Sequence, residues 1–574
     1  MKMINPTCRL LITSLLLTAS VNVALSREPV KQINIDLVEQ MPDMPVPYKM
    51  KNWDQIARKQ DQILFDHTTK ATLRPLIWWD DTKTNIPIRS FGLPSYVGSL
   101  RNMEEGNHYE SLPTIGAVLG ASLAGIDKSN DKGNDYVTMT RQLYVPKYGL
   151  VLNSPRSKPG GSFWYEIFPT MAFTMLTDLY PSKPEMSDIM KSCAKTWNDA
   201  VKEMSAGKPY PDFNYTSYDF FTKELFYNKR WREPDAAGGV AWLQYMAWVK
   251  WGDQKYLDAS KKCMDFLQAR DQKEGVFYEI IMPYGALLAV RMNAEQGTAY
   301  DELKMLNWCF DGNNADRRGW GVISESWEGY DVHGLVGQKK AEQYAFAMNT
   351  YSHAAALIPV VKYNPAYART IGKWILNLAN ASRLFYADEH PRNRQSSAIW
   401  DGDPDHVICY EGVRKNLTNG NSFETLQGVL ADKGPYAVGD QVKNLTSLTD
   451  ICIYGSAWVG MLAAIVDQTN VEGILQLDCN ATDFFGQRSN PTYLFYNPYK
   501  EVKKVNVVLK EGSFDLYDLV KGGFIAKGVK SGYSLAMESD NAVCIVALPA
   551  GKKTFVKNGR LLDSDGNVID YKYK

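Results

Sequence analysis

The chain has 574 residues, 45% of them apolar, 12% aromatic and 22% charged, and its 64 basic side chains balance 64 acidic ones. That is material for a large core, and it excludes a disordered or collagen-like chain. With no excess of either charge, nothing points to nucleic acid or a membrane surface as partner.

Lys2 and Arg9 precede an apolar run at 10–19, and Ala24-Leu25-Ser26 puts small residues at −3 and −1 of a cleavage site. Residues 1–26 therefore read as a secretory signal directing the protein to a secreted or periplasmic location. The run falls short of the roughly 20 residues a spanning helix needs, so no membrane span is expected once the signal is removed. Seven cysteines follow: Cys193, Cys263, Cys309, Cys409, Cys452, Cys479 and Cys544. They are odd in number, none has metal-ligand spacing, and several fall on apolar helix faces; they read mostly as small core residues, with disulfides left open by export.

Residues 27–110 are expected to be an extension packing on the main domain, with a helix at 52–67 and an extended, proline-rich stretch at 73–98 that starts near Trp78, Trp79, Asp80 and Asp81. The stretch either lines a mouth or braces outer helices, and bracing is favoured. From 111 to 490 one unit recurs: an apolar helix rich in small residues, a short turn, then a more polar amphipathic helix. The clearest case is 238–251, the turn Gly252-Asp253-Gln254, and 255–270. The others pair 113–125 with 135–144, 164–180 with 185–204, 278–292 with 300–310, 341–363 with 366–384, and 451–466 with 471–477. The first helix of each pair should be buried and the second should cover it, which makes a mainly α toroid of six hairpins. After 490 short β-rich runs appear, and Asn558-Gly559 and 563–567 supply hairpin turns, so 491–574 is expected to be a small antiparallel β module with a structural role. An independent carbohydrate-binding module is the alternative reading.

Six helical hairpins with turns such as Gly252-Asp253-Gln254-Lys255-Tyr256-Leu257 resemble the (α/α)6 toroid of the six-hairpin glycosidase superfamily, over roughly 110–490. The resemblance identifies no subfamily. It implies a fold shared by glycoside hydrolases, polysaccharide lyases and sugar epimerases, so function has to be argued from the site. In such a toroid the chemistry belongs just before and within the first turns of the inner helices. Trp164-Tyr165-Glu166-Ile167 opens the second of these and Phe277-Tyr278-Glu279-Ile280 the fourth, both aromatic-Tyr-Glu-Ile with a proline shortly after. With helices ~10 Å apart and side chains reaching inward by about 6 Å, next-nearest carboxylates stand about 7 Å apart, a span that suits an inverting glycosidase. The alternative is that Glu166 and Glu279 satisfy backbone donors in a first helical turn.

The loop 324–333 packs Glu325, Glu328, Asp331, Trp327, Tyr330 and His333 together, mixing sugar-stacking faces with proton-handling groups; a solvated acidic loop is the plain alternative. The segment 400–406 holds Trp400, Asp401, Asp403, Asp405 and His406. Its acids suggest a calcium loop, but His406 stands where an EF-hand needs glycine, leaving a looser calcium site or an acidic wall. Asp235 precedes the third inner helix as an N-cap or a site acid. The leading expectation is a secreted hydrolase of an oligo- or polysaccharide, with an acid pair drawn from Glu166, Glu279, Glu325, Asp331 and Asp401. Trp164, Tyr165, Tyr278, Trp327, Tyr330, His333, Trp400 and Asp235 would bind substrate, and no metal or other cofactor is expected beyond that calcium site. The alternatives are a lyase using His108, Tyr109, His333, Asn349 and His353 on a uronate, and a non-catalytic glycan-binding toroid. Asn214, Asn380, Asn416, Asn444 and Asn480 lie in N-x-Ser/Thr patterns too short to establish glycosylation.

Overall fold

The inner helices expected from the sequence are apolar on every side, and such a helix is stable only when other elements cover it all round. In the computed structural model, which describes residues 27–99, 109–397, 400–417, 430–431, 433–441 and 446–573, they are covered by one another. The signal segment, His108 and Asn444 lie outside the described residues.

Among the described residues, eleven helices of seven or more residues organise the chain: α1 (Trp53–Leu64), α2 (Ser111–Leu123), α3 (Phe163–Leu179), α4 (Pro184–Met204), α5 (Ala236–Trp251), α6 (Gln254–Ala269), α7 (Ile281–Gln296), α8 (Glu302–Asp311), α9 (Ala347–Leu357), α10 (Ala368–Ala381) and α11 (Val459–Ile465). Helix α2 packs on α3, α3 on α5, α5 on α7, α7 on α9, α9 on α11 and α11 back on α2, a closed cycle of six buried helices. Two glycines set one of these spacings: a Cβ on Gly238 of α5 would lie 3.1 Å from the Gly285 Cα of α7, so the two backbones approach where neither carries a side chain. The α5–α6 turn follows helix-end chemistry. Gly252 takes the left-handed conformation at φ 69° and its N–H bonds the Trp248 carbonyl, then the Asp253 side chain accepts from the Lys255 N–H to start α6.

Outside this cycle α4 packs on α3, α5 and α6, α6 on α5, α8 on α7, and α10 on α9. Two expected outer helices are different. The 135–144 stretch forms only a single α turn, Tyr136–Met139, and a 3-10 turn, Thr140–Leu143. The helix expected at 471–477 is corrected to a strand, Leu475–Asp478, and the outer place beside α11 and α2 is taken by α1 from the N-terminal region. That helix is amphipathic and turns Trp53, Ile56, Ala57, Gln60 and Leu64 inward, while Ser95 and Tyr96, from the 73–98 stretch expected to brace outer helices, line the main cavity. Helix α1 is locked by Lys128, whose fully buried ammonium bonds Asp61 at 2.9 Å and also Asp131.

Between α8 and α11 the chain makes a five-stranded antiparallel sheet that the sequence reading did not anticipate. Its strands are β1 (Trp320–Val322), β2 (Val336–Gln338), β3 (Tyr344–Phe346), β4 (Gly412–Arg414) and β5 (Tyr436–Val438), in spatial order β5-β4-β3-β2-β1. In register, Gly337 faces Ala345, Ala345 faces Val413, and Val413 faces Ala437.

The C-terminal sheet begins before 490. Strands β6 (Val466–Gln468), β7 (Leu475–Asp478), β8 (Thr492–Asn497), β9 (Phe514–Asp518), β10 (Gly523–Val529) and β11 (Asn541–Pro549) pair antiparallel in the order β6-β7-β8-β11-β9-β10. Alternation along β8 sends Leu494 and Tyr496 into the core shared with the helices, and Tyr493 and Phe495 into a separate core. The last three strands form the expected hairpins, with Asn558 and Gly559 at φ 51° and 73° in the turn. The seven cysteines from Cys193 to Cys544 are all buried and unbridged. No helix of the described residues is long and apolar enough to cross a membrane.

Candidate active site

A cavity of about 530 Å³ opens where the starts of α3, α5 and α7 meet one end of the five-stranded sheet. Six carboxylates line it: Glu110, Glu233, Glu279, Glu342, Glu411 and Asp440. Aromatic rings fill much of the remaining wall, with Trp164 and Tyr165 from α3, Trp231 and Tyr278 from the loops before α5 and α7, Trp320 and Phe346 from the sheet, and Tyr454.

Glu279 sits two residues before α7 in the left-handed region at φ 54°, a conformation a non-glycine residue keeps only when its surroundings impose it. Burial pushes its carboxyl up to about 7, with repulsion from Glu233 and Glu342 adding to this and the Tyr278 hydroxyl and Arg317 charge opposing it. Arg317 is held between two rings, its guanidinium 3.6 Å from the Tyr278 centroid and 4.5 Å from that of Trp231, and it reaches Glu233 at 3.2 Å. Its loop is fixed by Asn314, whose amide donates to the Val276 and Phe277 carbonyls while its oxygen accepts from the Asp316 and Arg317 N–H groups. Glu233 also accepts from the Ser162 hydroxyl at 2.8 Å, the Trp164 N–H at 2.9 Å and the Trp231 indole at 3.2 Å. Burial still leaves its carboxyl raised.

Glu411, immediately before β4, faces this group from the sheet. The hydroxyls of Tyr96 and Tyr344 and the N–H of Asp440 all donate to it, Tyr344 at 2.8 Å and Asp440 at 2.9 Å. Burial first, and Asp440 beside it second, push its carboxyl up to about 7. Asp440 and Glu342 are both bound from behind by the buried Arg414, at 2.6 and 3.3 Å.

The structure brings Glu279, Trp164, Tyr165 and Tyr278 together on this wall and leaves the other expected site residues elsewhere. The aromatic-Tyr-Glu-Ile signature occurs twice but in two registers. Glu166 already lies inside α3, and its carboxyl turns away to accept from the Gly160 and Tyr218 N–H groups at 2.6 and 3.4 Å, the backbone-satisfying role. Asp235 is fully buried next to Glu233, off the cavity lining, with no side-chain hydrogen-bond partner among the described residues.

The 324–333 loop is structural in its contacts. Glu325 pairs with Lys415 at 2.9 Å, Asp331 accepts from His333 Nδ1 at 2.5 Å, Trp327 is fully buried with no face free for a sugar, and Tyr330 stacks on His390. Trp400 donates to the Thr72 carbonyl and lines a separate cavity of about 220 Å³. Asp401 is exposed, Asp403 accepts from the N–H groups of Val407 and Ile408, and Asp405 pairs with Lys59. Among the described residues no group of three or more His, Cys, Asp or Glu is placed to hold a metal ion. Of the residues named for a lyase, Tyr109 donates to Asp80 at 2.7 Å. His353 is enclosed by Phe277, Phe310 and Trp374, and burial takes its imidazole down to about 3; Asn349 is buried on the same helix. The Asn380 and Asn480 sequons are buried too.

No protein-family model matches the sequence, and no curated protein matches it. Among solved structures, the chain is similar to a family 76 glycoside hydrolase from a bovine Bacteroides thetaiotaomicron strain, at TM-score 0.40 and 10% identity over 72% of this chain and 77% of that one. It is similar to an unsaturated glucuronyl hydrolase mutant from Streptococcus agalactiae at TM-score 0.37 and 11% identity, over 76% and 96% of the two chains. A GH127 β-L-arabinofuranosidase from Geobacillus stearothermophilus T6 gives TM-score 0.35 and 9% identity over 91% and 85%.

Proposed function

We propose that this protein is an exported glycoside hydrolase built on an (α/α)6 toroid, acting on a neutral oligo- or polysaccharide. The observation that carries the reading is the pair Glu279 and Glu411: two buried glutamates on one aromatic-walled cavity, each with its carboxyl pushed up to about 7. A carboxyl that keeps its proton near neutrality can give it to a glycosidic oxygen, and one that titrates in the same range can take a proton from water. Glu279, buried beside other acids, is the general acid. Glu411, whose oxygens already accept from two tyrosines and a backbone N–H, is the aligned general base. In the reaction the Glu279 proton passes to the leaving oxygen as its bond to the anomeric carbon breaks. Water forms the new bond to that carbon and gives its proton to Glu411.

The wall chemistry favours this over elimination from a uronate. Among the described residues, the cavity lining carries six carboxylates and one cation, Arg317, which is engaged by Glu233. An anionic sugar entering it would meet repulsion; among the described lining residues there is no histidine, and burial pushes the Tyr96, Tyr278 and Tyr454 phenols up, away from the deprotonated form that an elimination base needs. The rings offer stacking faces for neutral pyranose or furanose units.

The test is to measure reducing-end release from a glycan panel with Glu279→Gln and Glu411→Gln. Each change is expected to lower kcat about 10²–10⁴-fold. Near wild-type cleavage by both variants rules this pair out. Product absorbing in the ultraviolet as an unsaturated uronide makes the protein a lyase, and binding with no new reducing ends makes it a glycan-binding toroid.

A further inference from the structure

The hairpin formed by Ser217–Asp219 and Glu224–Phe226 has its base in the wall of the cavity. The Phe163 N–H bonds the Thr216 carbonyl at 2.7 Å, the Thr216 hydroxyl bonds the Trp231 carbonyl at 2.8 Å, and both partners sit beside lining residues. From there the hairpin runs outward over α4. Phe220 at its tip packs edge-on against the buried Trp197 of α4, with centroids 4.9 Å apart. Phe221 points the other way and is 82% exposed. The tip is ordered, because Asp219 Oδ1 accepts from the N–H groups of Phe221 and Thr222 at 2.8 and 3.0 Å.

Behind Phe221 lies a second groove of about 300 Å³, walled by Tyr148, Tyr218, Phe220 and Phe221. Its rim carries both signs of charge, much of it already paired: Lys223 with Glu203 at 2.8 Å, and Asp199 with Lys195 at 2.7 Å. A ring held in water at the tip of a fixed hairpin, above an aromatic floor and within a mixed polar rim, matches a sugar ring, which offers C–H bonds on its faces and hydroxyls at its edge. The lining holds three lysines, Lys147, Lys202 and Lys223, against Asp199 and Glu203, an excess of one positive charge that is too small to select a polyanion.

We infer that this groove is a second glycan-binding site, holding a distant stretch of the same neutral polysaccharide whose chain enters the cavity at the other end of the hairpin. The choice of ligand rests on the hydrolase reading; the groove itself does not. The experiment is native electrophoresis through gels containing a soluble β-glucan, galactomannan, xylan or arabinan, with polygalacturonate as the anionic comparison. The wild-type chain is expected to be retarded by at least one neutral polymer. Phe221→Ala should weaken that retardation several-fold, Phe221→Ala with Tyr148→Ala should remove it, and Phe221→Tyr, which keeps the ring face, should preserve it. Glu279→Gln should be retarded like the wild type, which separates the two readings. Retardation without any reducing-end release overturns the hydrolase and leaves this site standing, whereas reducing-end release without retardation does the reverse. Retardation equal in the double variant overturns the inference, and so does dimerisation in light scattering that depends on Phe221, because the occupant is then a second copy of the chain.

Discussion

Glu279 combines a strained backbone with a carboxyl pushed up to about 7, and both properties depend on neighbours that can be changed one at a time. In the proposed role of general acid it must be protonated, so kcat/KM should fall as pH rises through about 7. Arg317 is the cation that opposes its upward shift. In Arg317→Met that opposition is gone, the carboxyl rises further, and the basic limb of the pH profile should move to higher pH, with Arg317→Lys between the two. A limb that stays in place separates Glu279 from the acid role. Stability follows the same logic. Glu279 and Glu411 have folded pKa values above the ordinary glutamate value of 4.5, so the folded state binds the extra protons. Their contribution is most favourable below about pH 4.5 and is lost as pH rises through about 7, by up to about 3 kcal/mol each. The melting temperature should therefore fall between pH 5 and 8, and less steeply in Glu279→Gln.

Glu279 was legible in the sequence because two aromatics and an inner-helix start flank it. Glu411 was not, since what makes it unusual is supplied by Tyr96, Tyr344 and Asp440, from three distant places in the chain. Glu166 had the same local pattern as Glu279 and a different role, because α3 starts before its glutamate and α7 after.

At the scale of elements, the inner helices could be read because a run apolar on all sides leaves few alternatives. The five-stranded sheet that delivers Glu411 and flanks Asp440 could not, because its strands have three residues each, too few for an alternation to register. Its geometry depends on Gly412, where an added Cβ would lie 2.1 Å from the Ala345 carbonyl oxygen and 2.5 Å from the Tyr344 ring. Gly412→Ala must push β3 and β4 apart, and it is expected to lower kcat through Glu411 as well as the melting temperature. A variant that loses neither would show that the strand pair accommodates the methyl. The outer place beside α11 shows the limit of reading units in order. The 471–477 segment follows α11 directly, yet α1 from the other end of the chain covers it, a choice made by tertiary packing rather than proximity. Lys128→Met leaves Asp61 and Asp131 without their shared cation and should cost about 3 kcal/mol in denaturant unfolding. A loss below about 0.5 kcal/mol, the usual size for a surface change, would mean that α1 is held by its apolar face alone.

For the molecule as a whole, the helices and the C-terminal sheet share one core and one buried ion cluster. Asp483 accepts from Lys362 at 2.8 Å and Tyr363 at 2.9 Å, with Arg291 3.5 Å away. Arg291 in turn donates to the Phe484 and Phe485 carbonyls. Arg27 bonds Asp570 and the Gly522 carbonyl, tying the N-terminal segment to the last strands. Calorimetry should accordingly show a single cooperative transition for the whole chain, and Asp483→Asn should lower that transition without splitting it. Two resolved transitions would instead make the C-terminal sheet an independent unit.

The seating of α1 between α11 and α2 also sets a timetable for folding. Trp53–Leu64 is made early and Val459–Ile465 about 400 residues later, which at roughly 5–20 residues per second is on the order of 20–80 s of synthesis. Throughout that interval α1 can pack on α2 but not on α11, and the six-helix cycle stays open between its first and last members. Closing the ring thus requires the first large helix to meet the last. A chain that stays unfolded until its synthesis is complete meets that requirement without ever exposing a half-closed ring.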